Sequence, residues 1–156
     1  MTLIICESLR QIGEMACVMS AWSSRGQTLK TWAAEWGYTA FFSGIAGNKA
    51  GVAILFNNNF AFKVLRQMCD KEGRYIIIDL EVCELILTIC NMYSPNKDNP
   101  IFFQSIREQI MFRCEEIILG GGFNPIVDVK KDKKGGKSTT HRNTFKVIQN
   151  IGIILI

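Results

Sequence analysis

The length and composition of this chain predict one folded domain with a buried core. It has 156 residues, of which 48% are hydrophobic and 21% are charged, a balance that excludes a disordered chain. The formal net charge of +4 is unevenly distributed along the chain. No apolar stretch reaches the roughly 20 residues that a membrane-spanning helix requires. The N-terminus lacks the basic start of a signal peptide, and we therefore expect an intracellular protein with no membrane contact.

The six cysteines are scattered, and none forms a Cys-x-x-Cys pair. They favour reduced thiols that serve as small core residues, with a disulfide framework or a zinc site as the alternative. His141 is the only histidine, which argues against a histidine-based zinc site. The cysteines are Cys6, Cys17, Cys69, Cys83, Cys90 and Cys114.

The first half of the chain consists mainly of short apolar runs separated by turn residues, a pattern typical of β-strands. A short helix is expected over residues 29–36, where apolar side chains repeat on one face. The strands expected at 75–80 and 85–93 are close in sequence, and we expect them to pair as an antiparallel hairpin. The predicted strands cover residues 3–6, 38–43, 52–56, 60–65, 75–80 and 85–93. The predicted turns cover residues 44–51, 57–59 and 70–74.

The second half predicts a helix, a strand and another helix. Asn99 is a suitable N-cap and Pro100 fits a first helical turn, so a helix follows and ends near Cys114. Residues 117–119 then predict a buried strand, which runs into a glycine loop that presents Asn124. A basic loop over 128–140, a helix over 144–151 and a short strand at 153–156 complete the chain. This order favours a layered α/β or α+β domain over a strict βαβ repeat.

Seven short segments occur in an order and spacing known from one family. They are WG at 36–37, FFSG at 41–44, GVAILF at 51–56, EGRYIIIDL at 72–80, NMYSPN at 91–96, FF at 102–103 and IILGGGFN at 117–124. Over residues 32–152 the chain thereby resembles the endonuclease domain of LINE-type (non-LTR) retrotransposons. That domain belongs to the endonuclease/exonuclease/phosphatase superfamily, together with the apurinic endonucleases and DNase I.

The resemblance implies a fold, a reaction and a partner. The fold would be a DNase I-like four-layer sandwich, in which helices flank two packed mixed β-sheets. Residues 1–156 would form a single partial domain of this type, incomplete at both ends. The reaction would be hydrolysis of a DNA phosphodiester with a divalent metal, usually Mg²⁺, which in a retrotransposon nicks the target site.

The family's functional residues are only partly present. Tyr93 matches the tyrosine whose hydroxyl stabilises the scissile phosphate, and Asn124 matches the asparagine that orients the phosphate. Between them, the family's aspartate is replaced by Gly122, which can neither ligate a metal nor accept a proton. The place of the metal-binding glutamate falls near Ala21, and Glu7 fits the first strand better than that place. We therefore assign no metal ligand and expect impaired catalysis.

Basic residues crowd one late segment of the chain. Such a cluster suits a polyanion and predicts weak binding of DNA through phosphate contacts, although a solvated surface loop has the same composition. The cluster comprises Lys130, Lys131, Lys133, Lys134, Lys137, Arg142 and Lys146.

Three interpretations remain open at this point. The chain is an active metal-dependent endonuclease, a decayed or truncated endonuclease-like domain that binds nucleic acid weakly without cutting it, or an unrelated α/β protein or binding module. The missing carboxylates favour the second over the first, because electrostatic stabilisation is usually the largest catalytic contribution. The third would be favoured if the apolar runs ending at Tyr93 and Gly120 were not neighbours.

Overall fold

The structure of the protein, a computed structural model, describes residues 2–4, 16–20, 37–44, 51–113, 116–123 and 141–150. The chain divides into two compact units. The first unit contains Met1–Tyr93 and Cys114–Gly122, and the second contains Ser94–Arg113 and Phe123–Ile156. The organisation as one partial domain stays a prediction. None of the helices in these described ranges is long and apolar enough to cross a membrane.

Among its described residues, the first unit contains two four-stranded sheets. In the first sheet the spatial order is β1-β2-β4-β3, and each neighbouring pair is antiparallel. Its strands are β1 (Thr2–Ile4), β2 (Ala16–Ser20), β3 (Tyr38–Gly44) and β4 (Gly51–Asn57). The apolar run predicted at 52–56 thus forms the centre of β4, which is buried on both faces because its alternate side chains face different layers.

The second sheet has the order β5-β6-β7-β8 and mixes both directions. The first three strands pair antiparallel, whereas β8 runs parallel to β7. Its strands are β5 (Lys63–Cys69), β6 (Tyr75–Val82), β7 (Leu85–Tyr93) and β8 (Glu116–Gly122). The turn between β6 and β7 consists of Cys83 and Glu84, both with positive φ (49° and 70°), the backbone that a tight two-residue hairpin requires.

The two sheets pack face to face through one apolar core. Alternate side chains of β4, β6 and β7 point into it, as the period of two along a strand dictates. The fully buried members include Ile54, Phe56, Ile76, Ile78, Leu80 and Ile89. Phe56 also lies in an aromatic cluster, with ring centroids 4.5 Å from Phe62 and 6.0 Å from Phe60. The predicted α/β fold class with two packed sheets is confirmed.

The described part of the second unit contains two helices. Helix α1 (Pro100–Ile110) begins as predicted, because the side chain of Asn99 accepts a hydrogen bond from the backbone nitrogen of Phe102 at 3.2 Å. Its buried residues Phe103, Ile106 and Ile110 repeat at helical spacing and form one apolar face. Helix α1 ends at Ile110, four residues before the expected end. Helix α2 covers Arg142–Asn150, and it starts two residues earlier than predicted.

Some expectations about the elements are corrected. The strand predicted at 60–65 is displaced to Lys63–Cys69, because Phe60 and Phe62 pack in the aromatic cluster outside the ladder. Cys90 is buried as expected for a core thiol, but Cys69 and Cys83 are exposed. The predictions at 29–36, 45–50, 124–140 and 151–156 lie outside the described residues.

Candidate functional site

Tyr93 and Gly122 end two neighbouring strands of the second sheet. The parallel ladder of β7 and β8 closes on the pair Tyr93 and Gly122. The half-buried side chain of Tyr93 packs against the core between the sheets, so it lies on the inner face of its sheet. Residues paired across a ladder share a face, and a side chain at position 122 would therefore lie beside the phenol. Glycine supplies no such side chain.

The adjacency of these strands bears on the third interpretation, which would have been favoured if the apolar runs that end at Tyr93 and Gly120 were not neighbours. Instead, β7 and β8 are hydrogen-bonded neighbours, with Asn91 opposite Gly120. The resemblance placed these two segments at one site, and the fold brings them together.

The glycine run is not the loop that the sequence predicted. Gly120, Gly121 and Gly122 continue β8 and pair with residues of β7. Gly121 has a φ of +125°, and a Cβ atom there would overlap the carbonyl oxygen of Met92. The glycines thus permit a close approach of two backbones at the end of the ladder, a role that only glycine fills without strain.

Asn91 joins the two sheets two residues before Tyr93. Its side-chain amide nitrogen donates to the backbone carbonyl oxygen of Ala53 in β4 at 2.7 Å, and the residue is fully buried. A buried polar side chain is tolerated only when it is hydrogen-bonded, so this contact ties the end of β7 to the opposite sheet. Asn91 therefore helps to fix where the backbone of Tyr93 lies.

A tight turn lies on the other side of Tyr93. The backbone nitrogen of Tyr93 donates to the carbonyl oxygen of Arg74 at 2.7 Å, which extends the ladder of β6 and β7 by one pair. Asp70 closes the turn, since its carboxylate accepts from the backbone nitrogen of Arg74 at 2.9 Å and its carbonyl accepts from Gly73 at 3.1 Å. Tyr93 thus lies between Gly122 of β8 on one side and the turn that ends at Arg74 on the other.

Most of the other residues assigned from sequence lie outside the part of the chain that the structure describes. Asn124 and the five lysines lie outside the described residues, so their assignment stays a prediction; the lysines are Lys130, Lys131, Lys133, Lys134 and Lys137. Arg142 is described and lies exposed at the start of α2 in the second unit. His141, which was given no catalytic role, is buried.

The second unit has its own polar network at the start of α2. The carboxylate of Asp98 accepts hydrogen bonds from the backbone nitrogen of Thr144 at 2.9 Å and from its hydroxyl at 2.6 Å. The side chain of Asn143 donates to the other carboxylate oxygen at 3.1 Å. The Thr144 hydrogen bonds hold the pKa of Asp98 below its usual value. Asp98 thereby acts as a cap supplied from outside the helix.

Among the described residues, position 122 beside Tyr93 offers a magnesium ion no ligand. Mg²⁺ prefers carboxylate oxygens with near-octahedral geometry, and glycine has no side chain. Over the ranges that the structure describes, no group of three or more His, Cys, Asp or Glu side chains could hold a metal. What the site presents is a phenol on the inner face, next to a turn that carries an arginine.

Sequence reasoning missed two residues of this site, Arg74 and Asn91. Both lie within segments that carried the resemblance, but neither had been given a role. For Asn91 the available signal was an amide inside an otherwise apolar strand, which indicates a specific buried partner. For Arg74 the signal was its position at the start of the strand that pairs with the one ending at Tyr93.

Comparisons with known proteins support the fold. No family model matches the chain. The endonuclease domain of TRAS1, a telomere-specific non-LTR retrotransposon, superposes with a TM-score of 0.51 at 13% identity, covering 74% of this chain and 54% of that domain. ANGEL2, a 2',3'-cyclic phosphatase, gives a TM-score of 0.50 at 14% identity, covering 77% and 42%. The chain thus spans about half the length of these proteins, and it shares their fold.

Proposed function

We propose that this chain is a nucleic-acid-binding domain with an endonuclease-type fold that contacts phosphates but does not cleave the phosphodiester. One observation carries the proposal. Gly122 is the ladder partner of Tyr93, so the position beside the phenol has no carboxylate. The alternatives are an active DNA endonuclease of the retrotransposon type and an inert α/β domain.

The chemistry of phosphodiester hydrolysis explains why this glycine matters. The substrate is an anion that repels hydroxide, so catalysis needs charge neutralisation by a metal and a base that orients water. A phenol beside a glycine can donate one hydrogen bond to a phosphate oxygen. It supplies neither the carboxylate that would bind a metal nor the carboxylate that would orient water. Binding of a phosphate is therefore retained where hydrolysis is lost.

Phosphate contacts in the second unit would add to the binding. Arg142 and Lys146 are exposed and stand four residues apart on α2, which places them on the same face of that helix. The lysines of residues 130–137 belong to the same stretch of sequence. Contacts of this kind recognise the backbone and not the bases, so we expect weak binding without sequence selectivity.

A nicking assay tests the catalytic part of the proposal. Wild-type protein is incubated with supercoiled plasmid and Mg²⁺, beside Tyr93→Phe and the control Tyr75→Phe, whose residue begins β6 and pairs with Met92. We expect all three to remain at the background of protein-free plasmid. EDTA-sensitive nicking that Tyr93→Phe abolishes and Tyr75→Phe retains would contradict the proposal and support an active endonuclease.

A binding assay tests the remaining part. Fluorescence anisotropy of a labelled DNA duplex is recorded at several salt concentrations. We expect affinity to fall steeply with salt, because each phosphate contact releases bound counterions. The double variant Arg142→Gln/Lys146→Gln should reduce the salt slope, whereas Glu108→Gln on the exposed face of α1 should not. Absence of any binding at low salt would favour the inert domain.

A further inference from the structure

Arg74 stands across the β6–β7 ladder from Tyr93. The hydrogen bond from the Tyr93 nitrogen to the Arg74 carbonyl makes them an antiparallel pair, and Gly122 is the partner of Tyr93 on the other side. Alternation along β6 puts Arg74 on the same face as the inward residues Ile76 and Ile78. The site end of the sheet therefore carries, in one row, an arginine, a tyrosine and a glycine.

Hydrogen bonds and a close backbone contact hold the turn before Arg74 in place, although much of the turn is exposed. Asp70 accepts from the backbone nitrogens of Gly73 and Arg74, and its own nitrogen donates to the carbonyl of Tyr75 at 3.0 Å. Gly73 has a φ of +71° and is buried, and a Cβ there would come within 2.7 Å of the Cα of Gly44. Close backbone contact with the end of β3 thus fixes the turn, and the origin of the Arg74 side chain is fixed with it.

The guanidinium group of Arg74 forms an exposed ion pair with Glu72, which another anion can replace. Its Nε lies 3.2 Å from a carboxylate oxygen of Glu72, whose side chain is 73% exposed. Ion pairs this exposed contribute little to stability, so a second anion can take the place of Glu72 at small cost. A guanidinium group also binds phosphate through two parallel hydrogen bonds. A carboxylate paired with Nε leaves the other guanidinium nitrogens able to donate to a phosphate.

We propose that Arg74 is the phosphate-binding residue of this site, and that Glu72 holds its guanidinium until a phosphate of a nucleic acid replaces the carboxylate. The inference rests on the proposed nucleic-acid binding and identifies a residue that contacts phosphate in the first unit. Tyr93, one strand away, would donate its hydroxyl to the same phosphate group.

Salt-dependent anisotropy with a labelled DNA duplex tests this role. Arg74→Gln should weaken binding about tenfold, as expected for one charged hydrogen-bonding group. It should also reduce the slope of log affinity against log salt by about 0.9, the value for one lost phosphate contact. Arg66→Gln, an exposed arginine of β5, removes the same charge and should leave the slope unchanged. Glu72→Gln should tighten binding, because it releases the guanidinium and removes a negative charge.

The outcomes separate this inference from the proposal on which it rests. Wild-type binding with equal effects of Arg74→Gln and Arg66→Gln would overturn the role of Arg74 and leave the nucleic-acid binding intact. Absence of wild-type binding would overturn both. Thermal unfolding of each variant controls for folding. Arg74→Lys keeps the charge but loses the planar pair of guanidinium donors, so it should recover the salt slope but only part of the affinity.

Discussion

Asn91 in β7 is bonded to Ala53 in β4, and this side-chain contact of 2.7 Å crosses from one sheet to the other inside the core. Replacing Asn91 by leucine removes the donor and leaves the carbonyl of Ala53 buried without that partner. We expect the free energy of unfolding to fall by about 1–3 kcal/mol. Urea unfolding measures it, with the exposed Asn58→Ala as a control that should change stability by less than about 0.5 kcal/mol. Equal effects of the two variants would show that the contact between sheets is unimportant.

Gly121 is the glycine of β8 whose replacement we expect to be most harmful. Gly121→Ala would force a methyl group into the carbonyl of Met92 at a φ of +125°. The strain should lower the free energy of unfolding by about 1–3 kcal/mol or more. Gly122, one residue on, is not in the positive-φ region. Chemical denaturation of Gly121→Ala and Gly122→Ala should therefore give a much larger loss for the first, and the reverse order would refute the described ladder end.

Asp98 should make the stability of the second unit depend on pH. Hydrogen bonds from Thr144 lower its folded-state pKa, so its contribution is present above the unfolded value of about 3.9 and is lost as the pH falls through the folded value. The carboxylate is exposed, and we expect Asp98→Ala to cost only about 0.5–1 kcal/mol at pH 7. Denaturation at pH 7 and at pH 2 measures this difference, which should shrink at the lower pH.

A persistent loss at pH 2 would contradict the charge-based cap. Asp98→Asn serves as the matched control, since the amide keeps one oxygen that can accept from the backbone nitrogen of Thr144 but carries no charge. It should lose less stability than Asp98→Ala at pH 7, and its loss should shrink by the same amount as the pH falls, because only the wild-type residue titrates.

Phe56 should contribute more to stability than its partners in the aromatic cluster. It is fully buried and contacts Phe41, Phe60 and Phe62, which are only partly buried. Phe56→Ala leaves a cavity that the neighbouring rings cannot fill, and we expect a loss of about 3–5 kcal/mol. Phe60→Ala should cost less, because part of its ring already contacts water. Equilibrium unfolding compares the two variants, and similar losses would indicate that the cluster collapses around either cavity.

Much of the sheet structure could be predicted because its signals are local. The apolar runs of β4, β6 and β7 are bounded by turn residues within a few positions, and Asn99 with Pro100 marks the start of α1 through its own capping contact. These features depend on residues three or four positions apart. They can therefore be predicted without knowing how the rest of the chain folds.

The glycine run was misjudged for the opposite reason. Whether Gly120 to Gly122 forms a loop or a strand depends on β7, which lies some 30 residues earlier in the chain, and no local pattern reports that partner. The displacement of β5 has the same origin, since Phe60 and Phe62 are drawn into a cluster around Phe56. The proposed role of Arg74 likewise depends on its position opposite Tyr93 in β7.

The parallel pairing of β7 with β8 also sets an order in which the molecule can assemble. The hairpin of β6 and β7 needs only two turn residues to form, whereas the pairing of β7 with β8 must first close the intervening segment of residues 94–115. We expect the hairpin to form early and β8 to dock late. Until β8 arrives, one edge of β7 stays open to strands of other chains, so the last step of folding is also the one most exposed to aggregation.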